Sequence, residues 1–297
     1  MTPLKHLIDP LVDCVFKALL GSPENTNLTL DFLNAIIKPE IPINQIEIQN
    51  PYNEKEFLND KLTIVDIKAK DQQDRSYQIE VQLAIFAYLP ERMLYTWSDI
   101  YQSQLTSGKD FNELKPVVSI WLLGETLLKQ STEFHHHFQI YDPVNQVSLS
   151  DQCSIHLLEL PKWQKQLSAL SKEDEWLYFF QNAKDWEQLP TQLNNPEMRQ
   201  AMAVLSSFSE KEKAYHLYQS RRIALVEESS KKHLLEEAQQ KLIESEHKRE
   251  ESERKMDEAI NLANEENKQA LIEQERLKAL LKNAGIDPDA NIDKLNE

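Results

Sequence analysis

Residues Lys61–Leu83, KLTIVDIKAKDQQDRSYQIEVQL, decide how the chain is read. Leu62, Ile64, Asp66 and Lys68 alternate with Thr63, Val65, Ile67 and Ala69, and after the polar segment 71–75 the alternation resumes from Ser76 to Leu83. Period-two patterning with β-branched residues, broken by a short polar segment, predicts a β-hairpin. The connection contains no glycine, so the turn type is left unspecified. A turn centred on residue 73 sets Asp66 opposite Glu80. Glu80 and Gln82 are two apart and point to the same face of their strand. Two carboxylates and an amide then share one face, an oxygen-rich set of the kind that hard cations such as Mg2+ prefer. A sheet with one wet face carries the same residue types, and the pattern alone leaves both readings open.

Working outward, residues 10–21 read as a helix with Leu11, Cys14, Val15 and Leu19 as its apolar stripe. Asp13 and Lys17 are four apart on another face and could pair. Gly21-Ser-Pro stops this helix, and Asn25 or Asn27 is positioned to cap a second one over 28–37, which Pro39 and Pro42 end. Residues 43–49 alternate as a first strand. Beyond the hairpin, 85–105 reads as a long helix on which Arg92 and Tyr95 share a face, with its aromatic residues expected in the core. Residues 117–123 are nearly all apolar, as in a strand buried on both faces.

Composition narrows the class. The chain has 297 residues, 40% of them hydrophobic, enough for one good-sized core and an appendage or for two domains. Only four glycines occur and neither glycine-rich nucleotide motif is present, which disfavours a P-loop or dinucleotide-binding fold. Two cysteines, Cys14 and Cys153, fit a reducing compartment rather than a disulfide framework. No run approaches the roughly 18 apolar residues of a membrane span and no signal peptide is visible, so a cytoplasmic, non-membrane protein is expected. The net charge of −16 argues against broad, non-specific affinity for nucleic acid.

Asp66, followed by Glu80-Val81-Gln82, resembles the catalytic signature of the PD-(D/E)XK nuclease superfamily. It is most similar to the branch with E-x-Q in place of E-x-K, the recombination-promoting nuclease/putative transposase family. Residues 9–20 (DPLVDCVFKALL), 92–101 (RMLYTWSDIY) and 114–121 (LKPVVSIW) carry the same resemblance, in the same order. The likeness spans residues 7–180. It departs at Gly108-Lys-Asp-Phe111, where the family tends to have an acidic residue and a Tyr, and in the highly charged C-terminal region.

The resemblance implies an α/β fold, a restriction-endonuclease-like mixed sheet flanked by helices, acting on DNA as a Mg2+-dependent endonuclease with Mn2+ as an alternative ion. It implies Asp66, Glu80 and the backbone carbonyl of Val81 as metal ligands. Gln82 stands for the superfamily lysine, an exchange that removes a positive charge. Asp13 is implied as a further acidic catalytic residue, and Lys17 and Arg92 as phosphate-contacting residues. Two other readings stand beside this one: a non-catalytic nuclease-like module for protein association, and a transposase-like protein that cuts and joins DNA ends.

Three further segments bear on organisation. His135-His-His137 reads as a solvated segment, because consecutive side chains diverge and one metal could not easily take all three. Residues 155–160 suggest another strand or the sheet edge, and the aromatic residues from Trp163 to Phe180 a helical cap on the core. From Pro196 the composition changes. Residues 198–282 contain no Gly or Pro and are dominated by helix formers, with no large apolar residue over 244–255. The expected organisation is a nuclease-like domain over 1–195 and a charged helical extension over 196–297, which Gly285 would stop. A strict heptad is not sustained over 244–255, which argues against a coiled coil across the whole span, but the extension could form a coiled coil in part, dimerise the protein or bind a partner protein through its more apolar ends.

Overall fold

The computed structural model describes residues 8–49, 66–105, 108, 110–165, 170–210 and 212–284. The first part of the predicted hairpin, 61–65, and the expected stop at Gly285 lie outside them. The helices are α1 (Asp13–Leu20), α2 (Thr26–Ile37), α3 (Leu89–Gln102), α4 (Lys172–Asn182), α5 (Pro196–Glu210) and α6 (Glu212–Asn283). The strands are β1 (Ile46–Gln49), β2 (Ile67–Asp71), β3 (Ser76–Gln82), β4 (Val117–Leu123), β5 (His135–Phe138), β6 (Tyr141–Asp142), β7 (Val147–Ser148) and β8 (Cys153–Glu159).

Six strands form one mixed sheet in the order β1-β2-β3-β4-β8-β5, and β6 and β7 form a separate small hairpin. β1, β2 and β3 pair antiparallel, β3, β4 and β8 pair parallel, and β5 closes the edge antiparallel to β8. The parallel crossover from β3 to β4 is made by α3, as the helix-linked pattern requires. This is the expected mixed α/β sheet flanked by helices and followed by a long C-terminal helix. β8 is an interior strand, and the edge belongs to β5.

Alternation on the central strands separates two cores. Tyr77 and Ile79 of β3 and Val118, Ile120 and Leu122 of β4 join α1, α2, α4 and α5 in the larger one. The opposite side of β4 and β8, with Trp121, Leu123, Ile155 and Leu157, packs against Leu89 and Met93 of α3. The expected aromatic cap is present: Trp176, Phe179 and Phe180 are fully buried, and they pack with Phe16 of α1 and Phe32 of α2, the Phe32 and Phe180 rings edge to face at 6.0 Å. Met198, Ala201 and Leu205 of α5 and Tyr218 at the start of α6 belong to the same core. The first compact unit runs from Met1 to Glu227.

Two local expectations change. His135–His137 falls in the edge strand β5, where His135 and His136 are half-buried and His137 is exposed, so the segment is only partly solvated. His135 hydrogen-bonds Glu173 at 2.6 Å and His156 at 2.9 Å, and His137 reaches Ser154 at 2.8 Å. Strand pairing with β8 gives these imidazoles polar partners that composition could not foresee. On α3 the buried residues are Leu89, Met93, Thr96 and Ile100, whereas Tyr95 is 48% exposed and so is not a core residue.

The second unit, Glu228–Glu297, continues as helix to Asn283. Most of its described large apolar residues, among them Leu242, Met256, Ile260 and Leu277, are exposed. Ion pairs at i,i+4 spacing line it, such as Glu244–Lys248 and Glu251–Lys255. Such pairs support an exposed helix by a few tenths of a kcal/mol each.

Candidate active site

The hairpin is fixed at its turn by Asp71. Its Oδ1 accepts the backbone N–H groups of Gln73 and Arg75, and its Oδ2 accepts the Arg75 guanidinium N–H at 2.6 Å and the Tyr77 hydroxyl at 2.9 Å. Asp74 takes the left-handed conformation, φ 60°, that the glycine-free turn needs, and Asp tolerates it better than most residues. This turn sets the register Ile67↔Ile79 and Lys68↔Gln78. One residue further along lie Asp66 and Glu80, as the sequence expected.

These two residues grip each other through the backbone. Glu80 Oε1 accepts the N–H of Asp66 at 3.1 Å, and Asp66 Oδ2 accepts the N–H of Val81 at 3.0 Å. Each carboxylate also meets one cation. Lys17 of α1 is 3.1 Å from Asp66 Oδ1, and Arg92 of α3 is 3.8 Å from Glu80 Oε2. Arg92 also donates to Gln82 Oε1 at 3.3 Å, while the Gln82 amide donates to the carbonyl of Ala84. Asp66, Glu80, Val81, Gln82, Lys17 and Arg92 therefore converge on one place, contributed by the residue that leads into β2, by β3 and by the helices on both faces of the sheet.

Asp13 is placed differently. Its ion-pair partner is Arg221 of α6, at 3.6 Å. Among the described residues it shares no hydrogen bond or ion pair with Asp66 or Glu80. The Asp13–Lys17 pair expected from their spacing gives way to Lys17–Asp66, because folding brings a carboxylate to the Lys17 ammonium from the sheet.

The composition of β3 and β4 conceals a second layer. Gln78, Ser119 and Trp121 are buried beneath Glu80. Trp121 Nε1–H donates to Ser119 Oγ at 2.8 Å, and Ser119 Oγ–H donates to Gln78 Oε1 at 3.2 Å. The Gln78 amide donates to Glu80 Oε1 at 3.2 Å and to Thr96 Oγ1 at 3.3 Å. The Arg92 guanidinium lies 5.7 Å from the centre of the Trp121 ring. Sequence reasoning missed this ladder. The available signal was a Gln two residues before Glu80 and a single Ser in an otherwise apolar strand.

Glu80 is 2% exposed. Burial first, and then the neighbouring Asp66 charge, push its carboxyl up to about 8, although Gln78 and Arg92 act in the opposite direction. Burial and the neighbouring carboxylate thus disfavour the charged form of Glu80, a penalty that a bound cation would relieve. A divalent ion suits this donor set: two adjacent carboxylates supply hard oxygen ligands, and Mg2+ is commonly held by one or two carboxylates with water completing its shell. Among the described residues no group of three or more His, Cys, Asp or Glu is arranged to hold a metal, so the candidate site rests on two carboxylates.

The candidate site is thus a pair of carboxylates at the open end of a hairpin in a mixed sheet, flanked by a Lys and an Arg. Residues 10–234 match the model of the PD-(D/E)XK nuclease family transposase family, and the chain belongs to that family. Membership supports a nuclease or transposase-like role. No curated protein and no solved structure shows a significant match to the chain. Among the described residues, no helix is long and apolar enough to cross a membrane.

Proposed function

We propose that this protein is a divalent-metal-dependent DNA endonuclease that hydrolyses phosphodiester bonds, with Mg2+ as the working ion and Mn2+ as a substitute. The observation that carries the proposal is the opposition of Asp66 to the buried Glu80 at the mouth of the hairpin, with Lys17 at one carboxylate and Arg92 at the other. Asp66, Glu80 and the carbonyl of Val81 would hold the ion. When bound, the ion would polarise the phosphate and acidify a water molecule.

The chain's own groups divide the remaining work. Glu80 would have to be deprotonated to hold an ion, so binding would be favoured by rising pH. Arg92, held over Trp121, is placed to stabilise charge developing on the scissile phosphate. Lys17 holds Asp66 and offers a second cationic contact to the strand. Gln82 orients through its amide but carries no charge and is no useful base. Asp13 remains a candidate for a supporting acidic role from α1. The exposed helix beyond Glu227 is the proposed element for self-association or partner binding, and two free cysteines fit a reducing, cytoplasmic setting.

Plasmid cleavage at low salt tests the reading, with Mg2+, with Mn2+ and with chelator, alongside Asp66→Ala and Glu80→Ala. Metal-dependent nicking lost in both variants is the expected result. Absence of cleavage in either metal, with no metal binding by calorimetry, would overturn it in favour of a non-catalytic association module.

A further inference from the structure

We infer that the hollow beside Arg92 is a binding site for one unpaired nucleobase of the substrate strand, so that the preferred DNA carries a bulged, frayed or single-stranded nucleotide next to the cut. The inference rests on the nuclease reading above and names its substrate class.

The hollow has a volume of about 490 Å3 and is lined by Phe86, Tyr88, Leu89, Glu91, Arg92 and Tyr95, among others. That volume lies within the roughly 300–1,000 Å3 range of small-molecule sites and accommodates a nucleotide. Tyr88 is 77% exposed, Tyr95 48% and Phe86 37%, so three aromatic rings lie at the surface around one depression.

Tyr88 also adopts a left-handed backbone, φ 67°, as the N-cap of α3. A bulky residue there is strained, and such strain is concentrated at functional positions. Arg92 connects the hollow to the chemistry, since it both lines the depression and contacts Gln82 and Glu80. A phosphate at Arg92 therefore brings the attached base within reach of the rings.

Charge selects the part of the nucleotide that enters. Glu91 in the wall disfavours a phosphate inside, and a carboxylate accepts from an exocyclic base amine. With a net charge of −16, broad phosphate neutralisation is a poor source of affinity, whereas stacking on aromatic rings is available to any base. A base in a duplex is already stacked on its neighbours and cannot enter. An unpaired one loses little by doing so.

The test is equilibrium binding by fluorescence anisotropy, in chelator so that no metal-dependent hydrolysis intervenes. Three labelled duplexes are compared: one with a single unpaired nucleotide, one with an abasic residue at that position, and one fully paired. Wild-type protein is expected to bind the first about 5- to 150-fold more tightly than the second, the ratio equivalent to roughly 1–3 kcal/mol per stacked base. Tyr95→Ala should reduce that ratio towards one, while Tyr95→Phe, which keeps the ring, should preserve it. Equal binding of base and abasic DNA by wild-type protein, or an unchanged ratio in Tyr95→Ala, would overturn the inference. The abasic comparison is made on the DNA, so it cannot be confused with misfolding. Base preference without cleavage in any metal would sink the nuclease reading and leave the pocket standing. Metal-dependent cleavage without base preference would do the reverse.

Discussion

Lys17 Nζ lies 3.1 Å from Asp66 Oδ1, joining the first helix to the entry of β2 across the candidate metal position. A cation loaded at Asp66 must share that carboxylate with the ammonium group. Lys17→Ala is therefore expected to tighten Mn2+ binding while lowering cleavage, because the same change removes a cationic contact to the DNA. The pair is partly exposed, so the gain should not exceed about fivefold, matching the 0.2–1 kcal/mol typical of such pairs. Mn2+ titration by calorimetry checks it, and weaker metal binding in the variant would contradict the argument.

Glu80 makes the metal-free protein lose stability as pH rises. Its carboxyl titrates near 4.5 in the unfolded chain and is pushed up to about 8 in the folded one. Between those values the folded state binds more protons than the unfolded state, so stability falls with pH through that window. Thermal unfolding in chelator from pH 5 to 9 should show this slope. Glu80→Gln should flatten it and raise Tm at pH 9 by on the order of 5 °C. A parallel slope in wild type and variant would remove Glu80 as its cause.

Arg92 opposes that shift, since its charge lowers the proton affinity of Glu80. Arg92→Ala is expected to move the pH midpoint of Mn2+ binding upward and to reduce cleavage. Arg92→Lys should restore part of the midpoint but less of the cleavage, because an ammonium lacks the planar guanidinium that lies over Trp121. An unshifted midpoint in Arg92→Ala would show that the contact with Glu80 is too weak to matter.

Ser119→Ala removes the link between Gln78 Oε1 and Trp121 Nε1–H. Both groups are buried, and leaving them without a partner should cost about 1–3 kcal/mol each. Gln78 then loses one of the contacts that aim its amide at Glu80. Denaturant unfolding should report the stability loss, with a fall in cleavage beside it. Full stability in the variant would mean that water replaces the hydroxyl.

Gly21 allows α1 to approach the sheet. A Cβ at this position would lie 2.8 Å from the carbonyl oxygen of Lys17 and 3.1 Å from Ile67 Cγ1. The first contact is with backbone, which cannot yield cheaply, so Gly21→Ala should destabilise by about 1–3 kcal/mol. It should also draw Lys17 away from Asp66. Unfolding and Mn2+ titration together check both effects, and a neutral result in both would show that the helix end adjusts without moving Lys17.

Local sequence carried the hairpin unusually far. Alternation and a central turn suffice to put Asp66 opposite Glu80, because a strand register depends on little beyond where the turn falls. The helix over α1, the buried strand β4 and the aromatic cap were readable for the same reason: each follows from a period and a stop. Contacts between distant elements were not. Nothing in the spacing of Asp13 and Lys17 shows that one will meet Arg221 and the other Asp66. Nor does a run of three histidines show that β8 will supply His156 and Ser154 beside it. The depth of Glu80, and with it the rise of its pKa, depends on α3 covering that face, which a strand pattern cannot express. The composition change at Pro196 marks where α5 begins, but the packing of Met198, Ala201 and Leu205 follows from tertiary contact alone.

Trp121 has a consequence of a different kind. Its indole is fully buried, hydrogen-bonded to Ser119 and overlaid by the guanidinium of Arg92, the group that also touches Glu80 and Gln82. An indole's emission responds to the electric field across its ring, and here the Arg92 charge lies 5.7 Å from the ring centre. Withdrawal of Arg92 toward a phosphate, or a change of charge at Glu80, would alter that field directly. Trp121, one of five tryptophans, would thus serve as a native optical reporter beside the candidate site, its signal identified by the difference that Trp121→Phe makes.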